Sequence, residues 1–113
     1  MHFLQHMSIP LQVTFRDMES TVGLERAVSH WVDRLGRIYD RIERCEVVIE
    51  RPHQHQRRGQ HVRVRIALAV PGNDLVISRE PGEDGAHENA YVAIRDAFRA
   101  ARRRLQERVR RVA

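Results

Sequence analysis

The sequence predicts an α+β fold, a two-layer sandwich in which two helices pack on one face of a four-stranded mixed sheet, in the order β-α-β-β-β-α. Three observations lead there. Two long segments repeat apolar residues every three or four positions, the period of a helix with one buried side. Four short segments alternate apolar and polar residues or run rich in Val and Ile, as strands do. The chain has 113 residues, enough for one core and too few for two.

Residues 1–10 have no clear period and read as a flexible leader before a single domain over residues 11–113. Leu11, Val13 and Phe15 alternate with Gln12, Thr14 and Arg16, a half-buried strand. Residues 17–20 form a turn, and Ser20 or Thr21 can cap the helix that follows. From residue 21 to about residue 44 the stripe is Leu24, Ala27, Val28, Trp31, Val32, Leu35, Ile38, Tyr39 and Ile42. Residues 45–51 are a Val- and Ile-rich strand, and strand–helix–strand argues for a parallel pair joined by a crossover. Residues 52–59 are a polar connection rich in His, Gln and Arg. Residues 61–70 are the cleanest strand, with Val62, Val64, Ile66, Leu68 and Val70 on one face and His61, Arg63, Arg65, Ala67 and Ala69 on the other. The turn Pro71-Gly72-Asn73-Asp74 sends residues 75–78 back as a hairpin partner. A second loop at 81–85, acidic and glycine-bearing, leads to the last helix, for which Asn89 is the preferred N-cap and a start near Asp84 the alternative, and which extends to Val112.

Charge is placed unevenly. Apolar residues make up 42% of the chain, which suits a globular domain, while charged residues reach 31%, above the usual quarter. The net charge is +5, yet residues 95–113 hold eight Arg against Asp96 and Glu107, a local +6. All 20 Lys and Arg residues are arginine, whose planar fork grips phosphate bidentately. Codon bias also accounts for Arg in place of Lys, but not for where the charges sit. Arg95, Arg99, Arg102, Arg103 and Arg110 share one flank of the last helix. Arg26, His30, Arg34, Arg37, Arg41 and Arg44 share one flank of the first, with Glu25, Asp33, Asp40 and Glu43 towards the other. That mixed polar face also fits a solvated helix braced by i,i+4 pairs. Arg63 and Arg65 add charge to the open sheet face. These basic residues, Arg44 apart, are the twelve of the candidate RNA-binding set. Trp31, Tyr39 and Phe98 fall on the apolar sides of the helices, which argues for structured RNA over single-strand stacking.

Catalysis finds no support. No nucleophile elbow, Walker loop or dinucleotide fingerprint is present, and the carboxylates form no acid/base pair. Pro81-Gly82-Glu83-Asp84-Gly85 is too acidic to cradle a phosphate. His53, His55, His61 and His87 read as surface residues and not as a metal site, because no cysteine motif or HExxH accompanies them. No cofactor is expected. The single cysteine, Cys45, excludes an internal disulfide and suits a reducing cytosol. No apolar run approaches membrane-spanning length. The expected protein is therefore cytoplasmic, with no membrane partner and no small-molecule substrate.

Two runs, Tyr39-Asp40-Arg41-Ile42 ahead of the second strand and Tyr91-Val92-Ala93-Ile94-Arg95-Asp96-Ala97-Phe98 opening the last helix, give the chain a family likeness. In this order and spacing the sequence resembles the ribosome hibernation-promoting factor family, also called ribosome-associated inhibitor or protein Y. The resemblance covers residues 11–112. It implies the β-α-β-β-β-α fold, a layout related to double-stranded-RNA-binding domains, and a bacterial stress-response role. Members occupy the mRNA and tRNA channel of the small ribosomal subunit and silence idle ribosomes, so rRNA of that subunit is the implied partner. Basic family positions on the first helix fall at Trp31 and Arg34, and only Arg34 keeps the charge. On the last helix they fall near Ala100, Arg103, Glu107 and Val109, and only Arg103 keeps it, with Arg99, Arg102, Arg104, Arg108 and Arg110 at shifted positions. No dedicated dimerisation domain is expected, as in a short form or a divergent paralogue. The family's older sigma-factor modulation label implies an alternative, a regulator that docks an acidic protein partner through the same arginines.

Overall fold

Six elements follow one another in the computed structural model: β1 (Leu11–Arg16), α1 (Val22–Ile38), β2 (Arg44–Glu50), β3 (Arg63–Ala69), β4 (Leu75–Arg79) and α2 (Ala90–Val112). The structure describes residues 9–51, 62–79 and 89–112. His53, His55, His61, His87 and the acidic loop at 81–85 lie outside the described residues, as do residues 1–8 of the expected leader. Ile9 and Pro10, at the leader's end, join the fold. Ile9 packs against the core, and the Pro10 carbonyl accepts the Cys45 N–H at 3.0 Å.

The strands form one mixed sheet in the order β1-β2-β3-β4. β1 and β2 are parallel, with Val13 beside Val47, and the other two pairings are antiparallel, with Val47 opposite Ile66 and Ile66 opposite Ile77. Alternation along each strand then decides which face is dry. Cys45, Val47, Ile49, Val64, Ile66, Leu68, Leu75 and Ile77 are all buried beneath the helices. β1, at the edge, contributes only half-buried Leu11, Val13 and Phe15. The β3–β4 turn needs Gly72, whose φ of 96° lies in the left-handed region that costs glycine nothing.

Each helix begins where a side-chain oxygen can satisfy its first N–H groups. Thr21 caps α1, its Oγ1 accepting the Leu24 N–H at 3.0 Å. Asn89 caps α2 as expected, its Oδ1 accepting the N–H groups of Tyr91 at 2.8 Å and Val92 at 3.4 Å. Leu24, Val28, Val32 and Leu35 bury the inner side of α1. Ile94, Phe98 and Leu105 do so for α2, interleaved with buried Ala93, Ala97, Ala100 and Ala101 that let its backbone approach closely.

α1 is shorter than the periodicity predicts. The stripe read through Ile42, but Tyr39 takes an extended backbone (φ −150°, ψ 113°) and closes the helix with its N–H on the Leu35 carbonyl. Ile38, Tyr39 and Asp40 are modest helix formers, and a longer helix would carry the chain past the start of β2. Ile42 is buried from the connecting turn instead, so its place in the 3.6-residue repeat is coincidental. Arg41 and Arg44 leave the helical flank with it, Arg44 opening β2.

Candidate nucleic-acid interface

The course of the chain makes the two helices run side by side in the same direction. α1 returns from the end of β1 to the start of β2, two hairpin reversals bring β4 parallel to β2, and α2 returns again. Three contacts mark the seam from one end to the other. Gly23 leaves room for the Tyr91 hydroxyl, which a Cβ there would strike. The rings of Trp31 and Phe98 stack at 6.5 Å with 16° between planes. Ile38 shares a groove with Leu105, Gln106, Val109 and Arg110, with a volume of about 350 Å³.

The candidate cations border this seam. At 100° per residue, Arg26, His30, Arg34 and Arg37 occupy one arc of α1 beside the edge that carries Trp31, and all four are exposed. Arg99, Arg102, Arg103 and Arg110 occupy the corresponding arc of α2 and are also exposed. Each row is tied to the seam by an observed contact. The Arg34 guanidinium lies 5.3 Å from the centre of the Trp31 ring, and Arg110 lines the groove beside Ile38. His30 meets Trp31 edge-on, with centroids 5.3 Å apart. Arg95 belongs to the same arc but is half-buried, and its Nε and NH2 both donate to Asp96 Oδ1 at 3.2 Å. Among the described residues Arg26, Arg34, Arg37, Arg99, Arg102, Arg103 and Arg110 have no carboxylate partner, so their charge is available to a polyanion.

Three of the twelve candidates stand apart. Arg41 is exposed in the turn after α1. Arg63 and Arg65 alternate with the buried Val64 and so face away from both helices. The Arg63 NH1 is 3.3 Å from Glu50 Oε1, and Arg44 and Glu46 pair nearby at 3.8 Å. The open sheet face is thus of mixed charge, and no flat ligand touches it and the helical seam together.

Arg104 and Arg108, absent from the candidate set, have another task. They project from the opposite flank of α2 and donate to backbone carbonyls, Arg104 to Val76 at 3.5 Å and Arg108 to Pro71 at 3.3 Å and Asn73 at 3.0 Å. They brace the helix against the β3–β4 hairpin. Their acceptors are main-chain atoms far away in sequence, which no residue pattern announces. The role of Trp31 beneath Arg34 did have a signal, since residues three apart on a helix are neighbours.

Two chemical possibilities narrow. Burial, and after it the charge of Glu46, push the Cys45 thiol up to about 12, so at neutral pH it stays protonated and is a poor nucleophile. No cluster of His, Cys, Asp and Glu able to hold a metal occurs among the described residues. No helix among them is long and apolar enough to cross a membrane.

Comparison with known proteins supplies the remaining findings. A family model described as sigma 54 modulation protein / S30EA ribosomal protein matches residues 11–113. No curated protein matches the sequence significantly. Among solved structures, the protein Y N-terminal domain of Thermus thermophilus is similar at a TM-score of 0.68 and 22% identity, over 89% of this chain and 98% of that one. A ribosomal subunit interface protein from Coxiella burnetii is similar at a TM-score of 0.70 and 12% identity, over 88% and 96%. At these identities the likeness speaks for the fold.

Proposed function

The chain belongs to the sigma 54 modulation / S30EA ribosomal protein family, and from that premise we propose that it is a non-catalytic ribosome-associated factor. It binds structured rRNA in the mRNA and tRNA channel of the small subunit and inhibits translation in idle or stressed cells. The observation that carries this reading is the double row of exposed arginines along the α1–α2 seam, with no carboxylate partner among the described residues. Paired cationic rows on a rigid two-helix layer suit the phosphates and 2′-hydroxyls of folded RNA. A fork-shaped guanidinium holds two phosphate oxygens at once.

Gradient sedimentation of stationary-phase lysate, with the protein traced by blot, tests the partner. Co-migration with small subunits or whole ribosomes supports the reading. Confinement to the top fractions overturns it in favour of an acidic protein partner. The surface is tested by replacing Arg99, Arg103 and Arg110 with Gln. Binding to purified small subunits should weaken, and the log–log dependence on salt should flatten by about 2 to 3 units, given roughly 0.7–0.9 per phosphate contact. Glu107→Gln on the same helix should leave binding unchanged or strengthen it. A triple variant with the parent's affinity and salt slope removes α2 from the interface.

A further inference from the structure

We propose that Trp31 is a positioning residue for RNA binding, holding Arg34 as the pre-oriented cation at the middle of the seam; this rests on the function proposed above. Three contacts converge on one ring. Phe98 stacks on it from α2, His30 meets it edge-on from the preceding position, and the Arg34 guanidinium lies over it from the next turn. Phe98 is itself only 1% exposed, so the indole rests on an immobile part of the core. It is half-buried and packed against that core, while Arg34 is exposed.

The geometry suits a phosphate clamp. A guanidinium stacked on an aromatic ring uses its π face, and the N–H donors, which lie in its plane, stay free to point outwards. Arginine otherwise loses much rotamer freedom when it is fixed on a ligand. Trp31 removes part of that loss before the RNA arrives. It also ties the α1 row to α2, since the ring that orients Arg34 is the one stacked on Phe98. Lysine offers no planar group for such stacking, so Arg34→Lys should behave as a loss despite its retained charge.

The test is a double-mutant cycle between Trp31→Leu and Arg34→Gln, read as affinity for purified small ribosomal subunits, with the thermal midpoint of each variant measured alongside. Trp31→Leu alone should weaken binding roughly three- to tenfold, the scale of one rotamer-rich side chain left unfixed. In the Arg34→Gln background the same change should cost little further. Trp31→Phe, which keeps an aromatic face, should recover most of the affinity. Equal losses from Trp31→Leu in both backgrounds, or a loss that only follows the thermal midpoint, would make the role merely structural and overturn the proposal. Parent-like binding by Arg34→Gln, with weakened binding by the Arg99, Arg103 and Arg110 variant, also overturns it while the proposed function stands. If neither arginine variant weakens binding, it is the proposed RNA surface that has failed.

Discussion

Replacing Phe98 with Ala should remove a joint that holds both layers together. Phe98 is 1% exposed, sits mid-way along α2, and meets α1 through the ring of Trp31 at 6.5 Å. Truncating a fully buried Phe costs about 3–5 kcal/mol, part lost transfer energy and part the cavity left behind. The neighbouring buried alanines Ala97 and Ala101 are too short to close such a cavity, which favours the upper half of the range. A domain of this size has about 5–15 kcal/mol of stability in all. Near 4 °C per kcal/mol, the thermal midpoint should fall by roughly 12–20 °C, or the variant should fail to fold. Circular dichroism melts measure this, with Val109→Ala as the control. Val109 is 40% exposed, and its truncation should stay within about 0.5 kcal/mol. A midpoint for Phe98→Ala within a few degrees of the parent would refute the packing account and, with it, the rigid support of Trp31.

Other expectations come from the caps, the braces and the thiol. Thr21→Ala should destabilise by about 1 kcal/mol through the lost cap on Leu24 N–H, and Thr21→Ser should keep most of it; equal melts for the two variants would contradict the cap. Changing Arg104 and Arg108 together to Gln should lower stability by about 1–2 kcal/mol while weakening subunit binding less than the Arg99, Arg103 and Arg110 variant does. The reverse order would exchange the roles of the two flanks. For Cys45 the folded pKa of about 12 lies above the ordinary thiol value of 9.0, so only the unfolded chain ionises as pH passes 9. The thiol's contribution is complete below pH 9 and is lost as pH rises towards 12, by up to about 1.4 kcal/mol per unit. Urea unfolding at pH 8 and pH 10 should therefore fall more steeply for the parent than for Cys45→Ala, and parallel slopes would count against a buried thiol.

The fold was legible because burial repeats at the period of the element that creates it. Val62, Val64, Ile66, Leu68 and Val70 are all buried as their alternation requires, although Ala69, on the outer side of that pattern, is buried as well; Asn89 was the preferred cap on side-chain chemistry. The end of α1 could not. Ile42 continues the helical repeat while the backbone has already turned at Tyr39, because periodicity reports which side chains are buried and not how the backbone brings them there. The candidate site was legible by flank and not by partner. Arg63 and Arg65 were placed correctly on the open sheet face, but the Glu50 carboxylate on Arg63 becomes visible only with the strand register. Likewise the helical period separates Arg104 from Arg102, but only the fold supplies the Val76 carbonyl that Arg104 reaches.

That the two arginine rows meet at all is a consequence of strand count. With three strands, β2, β3 and β4, between them, α1 and α2 run the same way; an even number of strands would make them antiparallel and set the C-terminal end of one against the N-terminal end of the other. As it stands both C-terminal ends lie together, with Arg37 in the last turn of α1 and Arg110 and Arg111 in the last turn of α2. The partial negative charge of two helix termini favours cations there, by about 0.3–1 kcal/mol each where exposed. Glu25, the acidic residue in the first turn of α1, suits the opposite end for the same reason. The chain can therefore gather positive charge along one seam while the helix dipoles offset part of the repulsion among those charges. A polyanion laid along the seam would relieve the rest, which ties the stability of the arginine rows to the presence of the ligand they are proposed to hold.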